Sequence, residues 1–186
     1  LTPMVLAMAE GDTSPVEDRV GLVFLVYMYR MPHLVVKFVN HLQTRAPVFA
    51  VATMGGHAGD LFSAAQHVFA ERQLKLRVGM TVAMQTNYIA FGGAPGDDKI
   101  AAKHDAAEAR LDVIAAVIRS GDERIEASSN RLRTAIHPGI LYKLGYKYIS
   151  VSDKSFRIDD GCDGCSICAM VCPADNITMV EERPTW

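Results

Sequence analysis

Three short, dense apolar runs, each followed by a segment with helical spacing, constrain the fold of this chain most. The first occupies residues 19–27 and continues from Val20 through Tyr27 without a charged side chain. Such a run suits a strand buried on both faces of a parallel sheet. After Met28-Tyr29-Arg30-Met31 comes Pro32, which suits the first turn of a helix; Leu34, Val35, Phe38, Val39 and Leu42 then share one helical face. The second run, Val48 to Ala52, ends in Thr53-Met54-Gly55-Gly56 and precedes a helix pattern from about Ala58 to Arg72, with Leu61, Phe62, Ala65, Val68 and Phe69 inward. The third, Leu76 to Met84, reads as a strand that leads into a loop, Gln85 to Tyr88, and a break at Gly92 to Gly96. Ile100 to Arg119 reads as a long amphipathic helix with Leu111, Ile114, Ala115 and Ile118 inward. Strands alternating with helices predict an α/β layered fold with a mostly parallel sheet flanked by helices.

From Ser120 the pattern changes. We expect an α/β domain over residues 1–120, a helical connector over 121–152 containing Pro138-Gly139, and a short α+β segment over 153–186 with little core of its own. A length of 186 residues has room for one medium domain and such an appendix. A formal net charge of −2 gives no reason to expect a nucleic-acid or anionic-membrane partner. The longest apolar run, Val20 to Met28, is far short of the roughly 20 residues a bilayer span needs. No secretory pattern opens the chain. These features predict a cytoplasmic protein without a membrane span.

All 4 cysteines, Cys162, Cys165, Cys168 and Cys172, lie in the stretch Asp160-Gly161-Cys162-Asp163-Gly164-Cys165-Ser166-Ile167-Cys168-Ala169-Met170-Val171-Cys172-Pro173. A disulfide framework would spread its cysteines to tie distant segments together, whereas clustered thiols in a reducing compartment bind metal. The spacing C-x2-C-x2-C-x3-C-P is that of bacterial ferredoxins, whose short gaps wrap thiolates around an iron–sulfur cubane. In two-cluster proteins of this kind the fourth cysteine serves the other cluster, so a second motif is expected beyond Trp186, or else a three-iron cluster. Four cysteines also hold tetrahedral zinc, although zinc sites usually pair two C-x2-C knuckles across a longer gap.

Three segments carry a wider resemblance: Phe24-Leu25-Val26-Tyr27 leading to Met31-Pro32, Phe49-Ala50-Val51-Ala52-Thr53-Met54-Gly55-Gly56, and Met84-Gln85-Thr86-Asn87-Tyr88-Ile89. They resemble the flavodoxin half of flavodoxin–ferredoxin fusion proteins. Lys154 to Asp160, before the cysteines, and Asn176-Ile177-Thr178-Met179 leading to Arg183-Pro184-Thr185-Trp186 look like that family's ferredoxin half. The resemblance implies a flavodoxin-like sheet with FMN at the carboxyl ends of its strands, in keeping with the crevice rule for open α/β sheets. By position, Tyr27, Met28 and Tyr29 would lie beside the isoalloxazine, Thr53, Met54, Gly55 and Gly56 along its other side, and Asn87 and Tyr88 would close the site. The cofactors implied are a [4Fe–4S] cluster and FMN, and the partners are redox proteins.

The chain departs from that family at two points: the second ferredoxin motif expected after Trp186 is missing, and so are the first strand and its phosphate loop. Residues 1–20 hold no strand followed by a Ser/Thr/Gly-rich phosphate loop opening a helix, and the only candidate, Gly11-Asp12-Thr13-Ser14-Pro15, precedes no helical pattern. With Leu1 at one end and Trp186 at the other, the chain reads as a fragment truncated at both ends. The 6 histidines, His33, His41, His57, His67, His104 and His137, show no metal spacing; His57 follows the glycine pair, within reach of a flavin, yet reads as solvent-exposed. Asp97-Asp98 and Glu181-Glu182 read as solvated charges, and no nucleophile elbow, Walker loop or dinucleotide fingerprint occurs. The sequence therefore predicts an electron carrier before an enzyme, with a flavin-dependent reductase or a structural zinc module as alternatives.

Overall fold

The computed structural model describes residues 2–85, 96–127, 154, 156–172 and 175–186. Its elements in chain order are α1 (Met4–Glu10), β1 (Val20–Leu25), α2 (His33–His41), β2 (Val48–Met54), α3 (Leu61–Glu71), β3 (Leu76–Ala83), α4 (Asp97–Ser120), β4 (Arg124–Ile125), α5 (Ile167–Met170), β5 (Thr178–Val180) and β6 (Arg183–Thr185). The chain divides into two compact units, Leu1–Gly145 and Tyr146–Trp186.

The first unit is a four-stranded sheet in the order β1-β2-β3-β4, every neighbouring pair parallel. With helices on both faces it has the α/β, flavodoxin-like arrangement the alternating pattern predicts. One face carries Val20, Leu22 and Phe24 of β1 with Val48, Ala50 and Ala52 of β2, packed under α1, α2 and α3 through Ala7, Val35, Phe38, Val39, Leu61, Phe62, Ala65 and Phe69. The other face carries Val51, Val78, Met80 and Val82 under Ala107 and Ile114 of α4. Two glycines set how closely these layers approach. A Cβ on Gly79 of β3 would stand 2.7 Å from Cδ1 of Phe62, so the α3 ring rests directly on the strand backbone. On the opposite face a Cβ on Gly21 would run into the ring of Phe49, which leans across β1 from β2.

Several elements differ from the sequence reading. β1 is covered on one face only: Val23 and Leu25 are each 55% exposed, because α4 packs on β2 and β3 and does not extend over the edge strand. Leu34 and Leu111 point outward rather than inward. The buried line of α4 runs through Ala107, Ile114, Val117 and Ile118, and Arg110 lies on the same side. There Arg110 Nε donates to the Thr81 carbonyl at 3.0 Å and its guanidinium pairs with Glu126. Glu126 Oε2 in turn accepts from the Thr81 amide and hydroxyl, both at 2.8 Å. This network pins α4 and the segment after β4 to the middle of β3. β4 itself lies in the stretch read as a helical connector, so the sheet continues past residue 120.

Residues 4–10 form a helix the sequence reading did not include. Its stripe Met4, Ala7, Met8 packs on the core, and Gly11 closes it in the left-handed region at φ 73°. Asp97 and Asp98, read as solvated charges, occupy the first turn of α4, where they complement the helix dipole.

In the second unit, α5 is a single turn and β5 and β6 form an antiparallel hairpin whose turn residues Glu181 and Glu182 both have positive φ. None of its described residues is buried. Phe156 and Trp186 meet at a ring-centroid distance of 5.8 Å, and Arg183 donates to the Asp159 carbonyl at 3.3 Å. Among the described residues, no helix is long and apolar enough to cross a membrane.

Candidate flavin and iron–sulfur sites

Parallel pairing brings the candidate flavin residues together at one end of the sheet. Leu25 pairs with Thr53, and the ladder continues as the Val26 amide donates to the Thr53 carbonyl at 2.7 Å. The segments after β1 and β2 therefore emerge side by side at the carboxyl ends of their strands, where ligands of open α/β sheets bind. After β1 the chain reverses sharply: Tyr27 and Arg30 exchange backbone hydrogen bonds of 3.0 and 2.9 Å. The two residues between them, Met28 at φ 48° and Tyr29 at φ 65°, both adopt the left-handed region. Without glycine, each such residue costs on the order of 1–2 kcal/mol, and strain of this kind concentrates at functional sites.

The second loop locks onto this turn. Asp60, at the N-cap of α3, pairs with Arg30 at 3.1 Å. Tyr29 lies over Gly59, where a Cβ would stand 2.7 Å from that of Tyr29, and Gly59 has φ 59°. The Tyr29 ring stacks on His57 with centroids 4.8 Å apart and planes 16° apart. Beside this stack the backbone is open: Gly55 and Gly56 are exposed, and a Cβ on Gly56 would meet nothing within 4 Å. Thr53 and Met54 are half-buried at the end of β2. Asn87 and Tyr88 lie outside the described residues, as does His137.

Arg30, His57 and Asp60 thus belong to the candidate site although the sequence reading did not include them. Only His57 carried a signal, its place after the glycine pair. The Arg30–Asp60 pair joins two loops 30 residues apart in sequence, and nothing local announces it.

The candidate site has a pair of stacked rings beside open glycine backbone, and no phosphate cradle among the described residues. Gly11 ends α1 instead of opening a helix, and the Thr13 carbonyl accepts from the Gln43 amide at 2.8 Å. Gln43 follows the C-terminal end of α2, which has run back along the sheet, so the Gly11–Pro15 stretch sits at the opposite end of the strands from Thr53–Gly56. Among the described residues, the chemistry present fits the planar ring of a flavin and offers nothing for its phosphate.

The four cysteines occupy one loop between Asp159 and β5. Cys165 is exposed and Cys162, Cys168 and Cys172 are half-buried. The loop is held by short-range bonds. The Asp159 carboxylate accepts from the Gly161 amide at 2.9 Å, and Asp163 accepts from the Cys165 amide at 3.1 Å. The side chain and then the backbone of Cys165 hold the Asp163 carboxyl below its ordinary range. Gly164, at φ 73°, brings the loop onto the β5–β6 turn, where its Cβ would lie 3.0 Å from that of Glu182. Ser166, also left-handed at φ 64°, is the N-cap of α5, which carries Cys168; Cys172 lies just past its C-cap, Val171. The Cys172 thiol donates to Asn176 Oδ1 at 3.1 Å. Among the described residues, no three His, Cys, Asp or Glu side chains are drawn together as a metal-binding group. The fit to a cluster is therefore one of donor chemistry: four cysteines within one short segment, none of them more than half-buried.

No family model and no curated protein matches the chain.

Proposed function

We propose that this chain is a cytoplasmic electron-transfer protein, carrying a [4Fe–4S] cluster on its cysteine loop and a flavin at the carboxyl ends of β1 and β2, and exchanging electrons with redox partner proteins. The observation that carries the reading is the run Cys162, Cys165, Cys168, Cys172 followed by Pro173, a spacing specific to cluster ligation. Cys162, Cys165 and Cys168 serve one cluster, and Cys172 serves either that cluster or a second one. When bound, the cluster exchanges single electrons and the flavin one or two, which lets the pair mediate between one- and two-electron chemistry.

The chain's own residues bind and tune these groups. The thiols would lose their protons on ligation, and hydrogen bonds and burial around the sulfurs would tune the potential. At the other site the paired loops supply aromatic faces and open glycine backbone to a planar ring, held in place by Arg30 and Asp60. No acid, base or nucleophile is required of this chain, which favours a carrier over a reductase.

The test is an anaerobic absorption spectrum with iron, sulfide, zinc and flavin assayed on one sample. Iron with matching sulfide supports the reading. Zinc without sulfide replaces it with a structural metal knuckle.

A further inference from the structure

We infer that His57, rather than Tyr29, presents the stacking face to a planar ring bound at the carboxyl ends of β1 and β2; this rests on the flavin part of the proposed function. Both rings are parallel to within 16°, at a centroid distance of 4.8 Å, so each has one face closed by the other. Their other surroundings differ. Tyr29 is half-buried and its root lies on Gly59, with the position of a Gly59 Cβ 3.1 Å from Cγ and 3.2 Å from Cδ1. The turn that carries it is tied down through Arg30 to Asp60. His57 is exposed, and next to it Gly55 and Gly56 leave the loop without side chains. An incoming ring therefore meets imidazole first, with the phenol behind it as a buttress. Order in the stack is ligand, His57, Tyr29.

The imidazole face and the isoalloxazine face are both flat and polarisable, and offset stacking between them buries apolar surface on each. The site has no phosphate cradle among its described residues, so most of the recognition falls on this stack. The affinity is then sensitive to the side chain at position 57 and nearly indifferent to the tyrosine hydroxyl.

The experiment titrates riboflavin and FMN into the full 186-residue chain and into His57→Ala, His57→Phe and Tyr29→Leu, following quenching of flavin fluorescence. Far-UV circular dichroism checks that each variant is folded. The inference expects His57→Ala to weaken riboflavin binding at least tenfold, His57→Phe to restore it to within about threefold, and Tyr29→Leu, which removes only the ring behind, to weaken it by less than His57→Ala does. It also expects FMN to bind no more than a few-fold tighter than riboflavin. If the unsubstituted chain binds flavin and His57→Ala binds it equally well, the inference is overturned and the flavin site stands. If the unsubstituted chain binds neither flavin, the flavin reading falls and takes the inference with it.

Discussion

Replacing Gly79 with alanine tests how the sheet and α3 are packed together. Gly79 pairs with Ala50 in the centre of the sheet, and the Phe62 ring lies on it. An added Cβ would stand 2.7 Å from Cδ1 and 3.0 Å from both Cε1 and Cγ of that ring. These atoms are at the base and side of the ring, and Phe62 is only 3% exposed, so a change of rotamer cannot clear the clash. Overpacking of this kind costs about 1–3 kcal/mol, and the reduced freedom of the unfolded chain returns about 0.5–1 kcal/mol of it. We expect a net loss of about 1–2 kcal/mol, or roughly 3–8 °C in Tm for a chain of this size. Urea denaturation followed by far-UV circular dichroism measures it. Gly56→Ala is the control: its Cβ meets nothing within 4 Å, so stability should stay within about 0.5 kcal/mol. Adding Phe62→Leu should recover part of the Gly79→Ala loss, with a coupling of at least about 0.5 kcal/mol. If Gly79→Ala is as stable as Gly56→Ala, or Phe62→Leu does not couple to it, the packing argument is wrong.

Other perturbations give separate readouts. Glu126→Ala should lower stability by about 1–3 kcal/mol in chemical denaturation, because it strips an acceptor from the Thr81 amide and hydroxyl and leaves Arg110 only its bond to the Thr81 carbonyl; Glu126→Gln should lose less. Lys75, through a hydrogen bond and its charge, and then Arg77 hold the exposed Glu123 carboxyl below its ordinary range. A depressed folded-state pKa contributes stability above the unfolded value that is lost as pH falls through the folded one, so Glu123→Gln should flatten the acid limb of a stability–pH profile, and added salt should mimic it. Cys168→Ser should lower bound iron and sulfide together in the reconstituted protein, whereas a zinc knuckle would lose zinc with no sulfide involved.

The parts of the fold that rest on hydrophobic period were legible in the sequence. Val48–Met54 and Leu76–Ala83 begin where their apolar runs begin, and α2, α3 and α4 lie where the helical spacing placed them. The misses have physical causes. β1 reads as doubly buried because Val23 and Leu25 are as apolar as their neighbours, and sequence does not reveal that α4 stops short of them. Leu111 reads as inward because it is the more hydrophobic residue, yet the neighbouring Arg110 takes the sheet side to reach Thr81 and Glu126. β4 has two residues, too few for any period, and exists through its pairing with Val78 and Gly79. At the site, the resemblance implied the grouping of Tyr27–Tyr29 with Thr53–Gly56, and the parallel pairing of β1 with β2 brings those segments side by side. The His57 stack and the Arg30–Asp60 pair depend on how two loops meet, which neither loop encodes alone.

The central claim is that the cysteine loop binds an iron–sulfur cluster. Its most direct test is the anaerobic absorption spectrum of the chain as isolated, with iron, acid-labile sulfide, zinc and flavin measured on the same sample. The account predicts a broad band near about 400 nm that bleaches with dithionite, with iron and sulfide in equal amounts. A colourless protein containing zinc and no sulfide would contradict it.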